Sequence, residues 1–252
     1  MSQGLCATTL DGMRTGVFLP TTMPGTTSGR LVAWARAAED LGFDSLAVAG
    51  RIVHDCYEPL VALTLAAAAT RRIELVTIVA AAPLHHHGIL ARQGASLDRV
   101  SAGRLTIAVG DDHSGAVDHT LDELTGRRTL VTGDPRAAAR TLATRAGGWV
   151  QAAGSAADFD AGYPTVHDAW ACAGRPGRPR GVAVLHAALG DDAELLALTA
   201  PAPVATTVDA VREHLTAFEE ARAGDVLICP CSSDLRQLDL LAKAAFGAPA
   251  LV

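Results

Sequence analysis

The sequence lacks the excess of basic residues that is typical of a nucleic-acid-binding protein. It contains one lysine, Lys243, and its 27 acidic residues outnumber 21 basic ones, which gives a net charge of -6. Proteins that bind nucleic acid need a concentrated basic face to neutralise phosphates. The composition therefore argues against a nucleic-acid partner.

The chain also lacks long apolar runs and a cysteine framework. No uncharged apolar run reaches the roughly 20 residues that a membrane helix needs, and residues 1–12 lack the basic and apolar parts of a secretory signal. An odd number of cysteines without framework spacing indicates reduced thiols. We expect a cytoplasmic protein with no membrane partner. The five cysteines are Cys6, Cys56, Cys172, Cys229 and Cys231.

Short apolar, β-branched runs alternate with longer amphipathic runs along the whole chain. This alternation predicts parallel strands joined by right-handed helical crossovers. Eight such units in 252 residues indicate an α/β fold in a single domain, residues 1–252, as a closed TIM-type (β/α)8 barrel; an open doubly wound sheet is the alternative. The predicted strands cover residues 17–20, 44–48, 73–80, 104–109, 129–132, 148–150, 182–189 and 225–229.

Three local predictions accompany this pattern. Residues 156–173 are predicted to be helical, with a break near Gly162 and Pro164. Residues 174–181 and 200–204, rich in glycine or proline, are predicted loops. By their place in the pattern, two tryptophans, Trp34 and Trp149, belong to the core.

Several segments resemble the bacterial-luciferase-like family of flavin-dependent oxidoreductases and monooxygenases. The most specific stretch lies within residues 73–112. It contains Pro-Leu-His-His-His at 83–87, Ala-Arg-Gln at 91–93 and Ser-Leu-Asp-Arg-Val-Ser-Ala-Gly-Arg-Leu at 96–105, which is similar to the family's "TLDRLSGGR" helix end. Further similar segments are Leu-Gly-Phe-Asp-Ser-Leu at 41–46 and Gly-Gly-Trp-Val at 147–150.

This resemblance implies a barrel, usually dimeric, that binds reduced FMN or a deazaflavin coenzyme at the carboxyl ends of its strands and acts on a small organic substrate. The sequence departs from the family in two ways. The connection between strands 4 and 5 (residues 111–128) and that between strands 7 and 8 (190–224) are short, which predicts a shallower pocket or one that a partner completes. Gly50 and Arg51 stand where the family often has its acid/base pair.

Four residues that follow strands 2 and 4 are candidate catalytic residues. Arg51 can neutralise a reduced flavin or an anionic substrate, or form a surface ion pair with Asp55. His54 is the nearest substitute for the family's missing histidine. Asp111 and His113 follow strand 4 on the catalytic face of such a barrel and can bind substrate or move a proton, or form an ordinary polar turn.

Five residues are candidate cofactor contacts. Val79 and Ala80 end strand 3, where small side chains admit a flat ring or simply pack the barrel. Gly110 ends strand 4. Thr132 and Gly133 precede a helix whose N-terminal N–H groups can hold a phosphate; alternatively, the next residue, Asp134, caps that helix itself.

Two further groups were weighed and set aside. The histidines of residues 85–87 point in different directions, so at most two share one metal ion, and no metal site is predicted. Cys229 and Cys231 are too close for an easy disulfide and are predicted to be buried, inert thiols.

Two hypotheses of function remain. The first is a flavin-dependent oxidoreductase, in which the cofactor carries the chemistry and the protein orients it. The second is a luciferase-like barrel that is non-catalytic or works without any flavin cofactor, and that binds a ligand or a partner protein. The altered acid/base pair and the short connections motivate the second.

Overall fold

The computed structural model describes residues 12–23, 25–50, 56–79, 86–110, 122, 124, 128–142, 144–190 and 204–247. Within these residues it contains nine strands and seven helices. The strands are β1 (Arg14–Phe18), β2 (Ser45–Ala49), β3 (Glu74–Val79), β4 (Leu105–Gly110), β5 (Arg128–Thr132), β6 (Gly148–Gln151), β7 (Arg180–Ala187), β8 (Val204–Ala205) and β9 (Asp225–Pro230). The helices are α1 (Ser28–Asp40), α2 (Pro59–Ala69), α3 (His87–Val100), α4 (Pro135–Leu142), α5 (Ala156–Cys172), α6 (Val208–Glu220) and α7 (Arg236–Phe246).

Eight of the strands close into a parallel barrel, as predicted. Strands β1 to β7 pair in chain order, β7 pairs with β9, and β9 returns to β1. The two-residue strand β8 is not part of the ring. It pairs with the upper end of β7, opposite His186 and Ala187. The prediction of a loop over residues 200–204 is therefore wrong at Val204, whose backbone extends the sheet at the rim.

Side chains alternate between the bore of the barrel and the layer beneath the helices. A small cluster fills the bore, with Phe18, Val76, Leu130, Val182 and Leu227 among its members. A much larger cluster joins the outer faces of the strands to the helices. Trp34 and Trp149 lie in this outer cluster and are almost fully buried, which confirms the prediction that they are core residues.

Helix α5 runs without interruption through Gly162 and Pro164, so the predicted break is wrong. Its capping box at Ser155 and Asp158 fixes its start. A Cβ at position 162 would lie 3.1 Å from Trp149 and 3.3 Å from Pro135. Glycine is used there because the helix packs closely against α4 and β6, and not because the helix ends.

Two charged side chains hold together the segments that carry the family resemblance. The Glu39 carboxylate accepts hydrogen bonds from the backbone N–H groups of residues 71–73. The Arg104 guanidinium donates to the carbonyl oxygens of Ala67, Ile73 and Ser101. These contacts fix the turn between α2 and β3 against the start of β4. This part of the resemblance therefore reflects the fold and not a binding site.

An ionic network closes the amino end of the barrel. Arg180 donates to both oxygens of Glu74, at 2.7 and 3.1 Å, and to both oxygens of Asp225, at 2.8 and 2.7 Å. Arg14 pairs with the same two carboxylates. Burial raises the pKa of Glu74, but hydrogen bonds and charge from Arg180, with smaller contributions from Thr106 and Arg14, lower it overall. Because this end is sealed, access to the bore is from the carboxyl ends of the strands.

None of the helices within the described ranges has the length and apolar character required to cross a membrane.

Candidate functional site at the carboxyl end of the barrel

Of the nine predicted site residues, five lie outside the described residues: Arg51, His54, Ala80, Asp111 and His113. The other four can be placed: Val79, Gly110, Thr132 and Gly133. All four lie at or just beyond the carboxyl ends of β3, β4 and β5, on the face where barrel enzymes build their sites.

The described residues at the ends of β3 and β4 differ in orientation. Val79 is buried in the outer cluster, so any contact with a ligand in the bore comes from its backbone. Its neighbour Ile78 faces the bore. Gly110 pairs with Thr132 of β5 and, by alternation from Ala108, also faces the bore.

A cavity of about 330 Å³ opens at this end, and we call it the mouth cavity. Phe18, Ile78 and Val184 form its floor and also belong to the cluster that fills the bore. Its remaining walls come from the ends of β1, β2, β6, β7 and β9. These wall residues are Leu19, Pro20, Thr21, Thr22, Met23, Ala49, Gly50, Ala152, Ala153, His186, Cys229 and Pro230.

Two wall residues carry titratable side chains, and sequence reasoning missed their role. His186 of β7 and Cys229 of β9 are paired in register on adjacent strands. Val182 and Val184 face the bore while Ala183 and Leu185 face the helices, so His186 continues the inward set. The signal was present in the sequence: within the strand predicted over residues 182–189, a histidine shares the parity of Val182 and Val184.

The segment that follows His186 in the chain is held by a buried amide. The Gln237 side chain accepts a hydrogen bond from the Leu189 N–H at 3.2 Å and donates one to the Leu189 carbonyl. Close by, the Ala188 N–H donates to the carbonyl of Ala205 in β8. These bonds hold the chain just after His186, so the position of that ring is set by backbone that is itself anchored.

A second cavity, here called the side cavity, adjoins the first and has a similar volume of about 330 Å³. The two share Ala152 and Ala153. The other side-cavity residues are Gly133, Pro135, Trp149, Gln151 and Asp158.

The polar groups of the predicted phosphate loop already have partners within the protein. The Thr132 hydroxyl donates to the Val150 carbonyl at 3.0 Å, and the Gly133 carbonyl accepts from the Trp149 indole N–H at 3.0 Å. Asp134 Oδ1 accepts the backbone N–H of Arg136 at 2.9 Å and of Ala137 at 3.2 Å. The structure therefore contains the helix cap by Asp134 that the sequence allowed.

Two other predictions concern the cysteines and metal binding. Cys229 and Cys231 are half-buried and not buried as predicted, and Cys229 lines the mouth cavity. Burial raises the pKa of the Cys231 thiol. Within the described part of the chain, no group of three or more His, Cys, Asp or Glu side chains is arranged to hold a metal ion.

Comparison with known proteins supports the resemblance noted in the sequence. Residues 13–123 match the model of the luciferase-like monooxygenase family. A sequence comparison with curated proteins gives no match.

Solved structures share the fold over almost the whole chain. An F420-dependent secondary alcohol dehydrogenase, in complex with an F420-acetone adduct, is 15% identical with a TM-score of 0.76, over 92% of this chain and 98% of its own. A coenzyme F420-dependent tetrahydromethanopterin reductase from Methanopyrus kandleri is 15% identical, with a TM-score of 0.74 over 93% and 98%. The oxygenating constituent of 3,6-diketocamphane monooxygenase from Pseudomonas putida, in complex with FMN, is 15% identical with a TM-score of 0.70 over 95% and 99%. At these identities the likeness shows the fold alone.

Proposed function

We propose, from the match of residues 13–123 to the luciferase-like monooxygenase family and from the mouth cavity, that this chain is a flavin- or deazaflavin-dependent oxidoreductase. Its substrate is a small organic molecule, and it acts either as a monooxygenase with reduced FMN and oxygen or as a deazaflavin hydride-transfer enzyme. The mouth cavity carries the proposal, because it is an apolar pocket at the catalytic end of a closed barrel. The scattered cysteines support a cytoplasmic location.

The mouth cavity suits a flat aromatic ring. Its volume of about 330 Å³ lies at the lower end of the roughly 300–1,000 Å³ typical of small-molecule sites. Ala49, Gly50, Ala152 and Ala153 leave room along the walls, and two prolines stiffen the rim. Predominantly apolar walls exclude water, which strengthens every electrostatic contact made inside.

The chain's own chemistry in this cavity centres on His186. Its ring is half-buried on the inner face of β7, and histidine is the side chain best suited to accept or release a proton near neutral pH. Thr21 and Thr22 contribute hydroxyl groups to the wall for orienting a substrate. A bound flavin or deazaflavin supplies the electrons or hydride that none of these side chains supplies.

The position of Gly50 favours one alternative. It lines the cavity at a position where the family often has an acid/base residue, so the wall lacks that side chain. A barrel that binds a ligand in the mouth cavity without turning it over, or without any flavin, is therefore the second candidate.

One pair of measurements tests the proposal. Spectroscopic titration with FMN, riboflavin and a deazaflavin coenzyme tests binding. Turnover is tested by reoxidation of the reduced coenzyme with a panel of small aldehydes and ketones, in the presence of oxygen for reduced FMN, and by reduction of the oxidised deazaflavin with small alcohols. We expect binding of at least one coenzyme. We also expect turnover to fall by about 10²–10⁴-fold in His186→Gln while the Kd of the coenzyme stays close to that of the wild type. Binding of none of them overturns the proposal, and tight binding without turnover favours the second candidate.

The resemblance also led us to expect a homodimer. Exposed apolar side chains on two adjacent helices support this. Val61 on α2 and Ile89 and Val100 on α3 are 56%, 59% and 58% exposed. We propose that these side chains take part in an interface with a second copy.

A further inference from the structure

The side cavity carries negative charge and adjoins the mouth cavity, where the coenzyme ring is proposed to bind. It shares Ala152 and Ala153 with the mouth cavity. A ligand whose ring lies in the mouth cavity and whose chain passes over these two alanines therefore enters the side cavity. The side cavity then determines which kind of chain is accepted. This step depends on the function proposed above.

The first helix beside the side cavity does not offer free donors to an anion. A helix N-terminus normally attracts phosphate through its unpaired N–H groups and its dipole. Here Asp134, between the lining residues Gly133 and Pro135, has a carboxylate oxygen that accepts from the Arg136 and Ala137 N–H groups at 2.9 and 3.2 Å. A built-in negative charge therefore stands where a phosphate would bind.

The second helix places a carboxylate in the wall of the side cavity itself. Asp158, in the first turn of α5, lines the side cavity and accepts from the Ser155 backbone N–H at 2.8 Å and the Ser155 hydroxyl at 2.7 Å. These two bonds lower the pKa of Asp158, and the bond from the backbone N–H has the larger effect. The carboxyl group is therefore ionised at neutral pH.

The remaining described lining residues do not offset these charges. No lysine or arginine is among them. Gln151 is 7% exposed, and its Oε1 has no hydrogen-bond partner, which adds a further acceptor to the wall. The Trp149 indole N–H, a donor, is already bonded to Gly133. Asp158 and the unpaired Gln151 oxygen on the wall accept hydrogen bonds and therefore suit hydroxyl groups, which donate. The negative charges of Asp158 and of Asp134, which lies between two lining residues, repel a phosphate.

We propose that the side cavity favours an uncharged, hydroxyl-bearing chain over a terminal phosphate, so that this protein binds riboflavin more tightly than FMN. The two flavins have the same ring and the same inner ribityl hydroxyls and differ only at the terminal oxygen, which is a free hydroxyl in riboflavin and carries the phosphate in FMN. Two exposed carboxylates near a phosphate repel it by an amount that salt screens.

The experiment is a parallel titration of the full chain with riboflavin and with FMN, followed by flavin fluorescence, at low salt and at about 1 M salt. We expect the Kd for riboflavin to be at least about fivefold lower at low salt, and the difference to narrow at high salt. Asp134→Ser keeps a capping hydroxyl and removes the charge, so it should narrow the difference at low salt.

Asp234→Ser is the matched control, because Asp234 accepts the Arg236 N–H at 3.0 Å in the same manner, and neither it nor the residues beside it line either cavity. It should leave the ratio of the two Kd values unchanged. FMN that binds as tightly as riboflavin at low salt overturns this inference and leaves the proposed function intact. If neither flavin nor a deazaflavin binds, the proposed function and this inference fall together.

Discussion

Arg180 and Glu74 form a bidentate ion pair across the amino end of the barrel. The Arg180 Nη1 and Nη2 atoms lie 2.7 and 3.1 Å from the two Glu74 oxygens, although β7 and β3 are not neighbours in the sheet. The pair therefore spans the bore and does not simply join adjacent strands. It closes the amino end of the barrel and leaves the carboxyl end as the place for a ligand.

Glu74→Gln should destabilise the protein in a pH-dependent way. Because the pKa of Glu74 is lowered in the folded state, its ionic contribution is present above the carboxyl's ordinary pKa of about 4.3 and is lost as the pH falls through the folded value. We expect a loss of about 3 kcal/mol in the free energy of unfolding at pH 7, which shrinks below about pH 4. Urea unfolding at several pH values measures this.

The control for that experiment is Glu213→Gln, an exposed glutamate on α6. It should change the free energy of unfolding by less than about 0.5 kcal/mol at any pH. If the free energies of unfolding of the wild type and of Glu74→Gln differ by the same amount at pH 7 and below pH 4, this contradicts the role given to the ion pair at the amino end of the barrel.

Gln237→Ala should loosen the segment that follows His186. The variant leaves the buried N–H and carbonyl of Leu189 without their partner, which costs about 1–3 kcal/mol. Hydrogen exchange should show faster exchange at the Leu189 amide than in the wild type. Gln93→Ala, at an exposed position of α3, is the control. Equal protection of the Leu189 amide in both variants would show that the Gln237 side chain does not hold this segment.

Thr77→Val should raise the melting temperature or leave it unchanged. Thr77 is fully buried, and its hydroxyl has no hydrogen-bond partner, so removing the hydroxyl relieves a penalty of about 1 kcal/mol. Thr70→Val provides the contrast, because the Thr70 hydroxyl donates to Ala66 and accepts from Arg104. Calorimetry that finds Thr77→Val as destabilising as Thr70→Val would contradict this assignment.

Ile89→Arg should convert the expected dimer into a monomer. The side chain is 59% exposed on α3, so arginine is tolerated in the monomer, whereas a charge buried in an interface without a partner is costly. Sedimentation equilibrium measures the mass. Arg92→Ala, at another exposed position of α3, serves as a control that should remain dimeric; a wild-type chain that is monomeric at all concentrations contradicts the expectation.

Local patterns were enough to predict most of the fold. The apolar, β-branched run at residues 73–80 is evident in the sequence, and the structure confirms a strand there, β3. The errors arose where packing outweighs local preference. Gly162 and Pro164 suggest a break, but glycine there lets α5 approach Trp149. Val204 follows proline, yet it pairs with the end of β7.

The candidate site could be predicted only in its location. That the site lies at the carboxyl end of the strands follows from the fold. The contacts of Arg180 with Glu74 and of Gln237 with Leu189 join residues far apart in the chain. No local sequence pattern predicts them. His186 could have been predicted as a site residue, because alternation along β7 places its side chain on the same inner face as Val182 and Val184.

The most direct test of the central claim is the affinity of Ala49→Phe for a flavin or deazaflavin coenzyme. Ala49 is half-buried and lines the mouth cavity, so a phenyl ring there takes the space assigned to the coenzyme. Ala157→Phe, at an exposed position of α5, makes the same change at a residue that lines neither cavity. We predict that Ala49→Phe weakens binding by at least about tenfold, which corresponds to about 1.4 kcal/mol, while Ala157→Phe binds like the wild type. Equal coenzyme affinity in all three proteins would contradict the placement of the coenzyme in the mouth cavity.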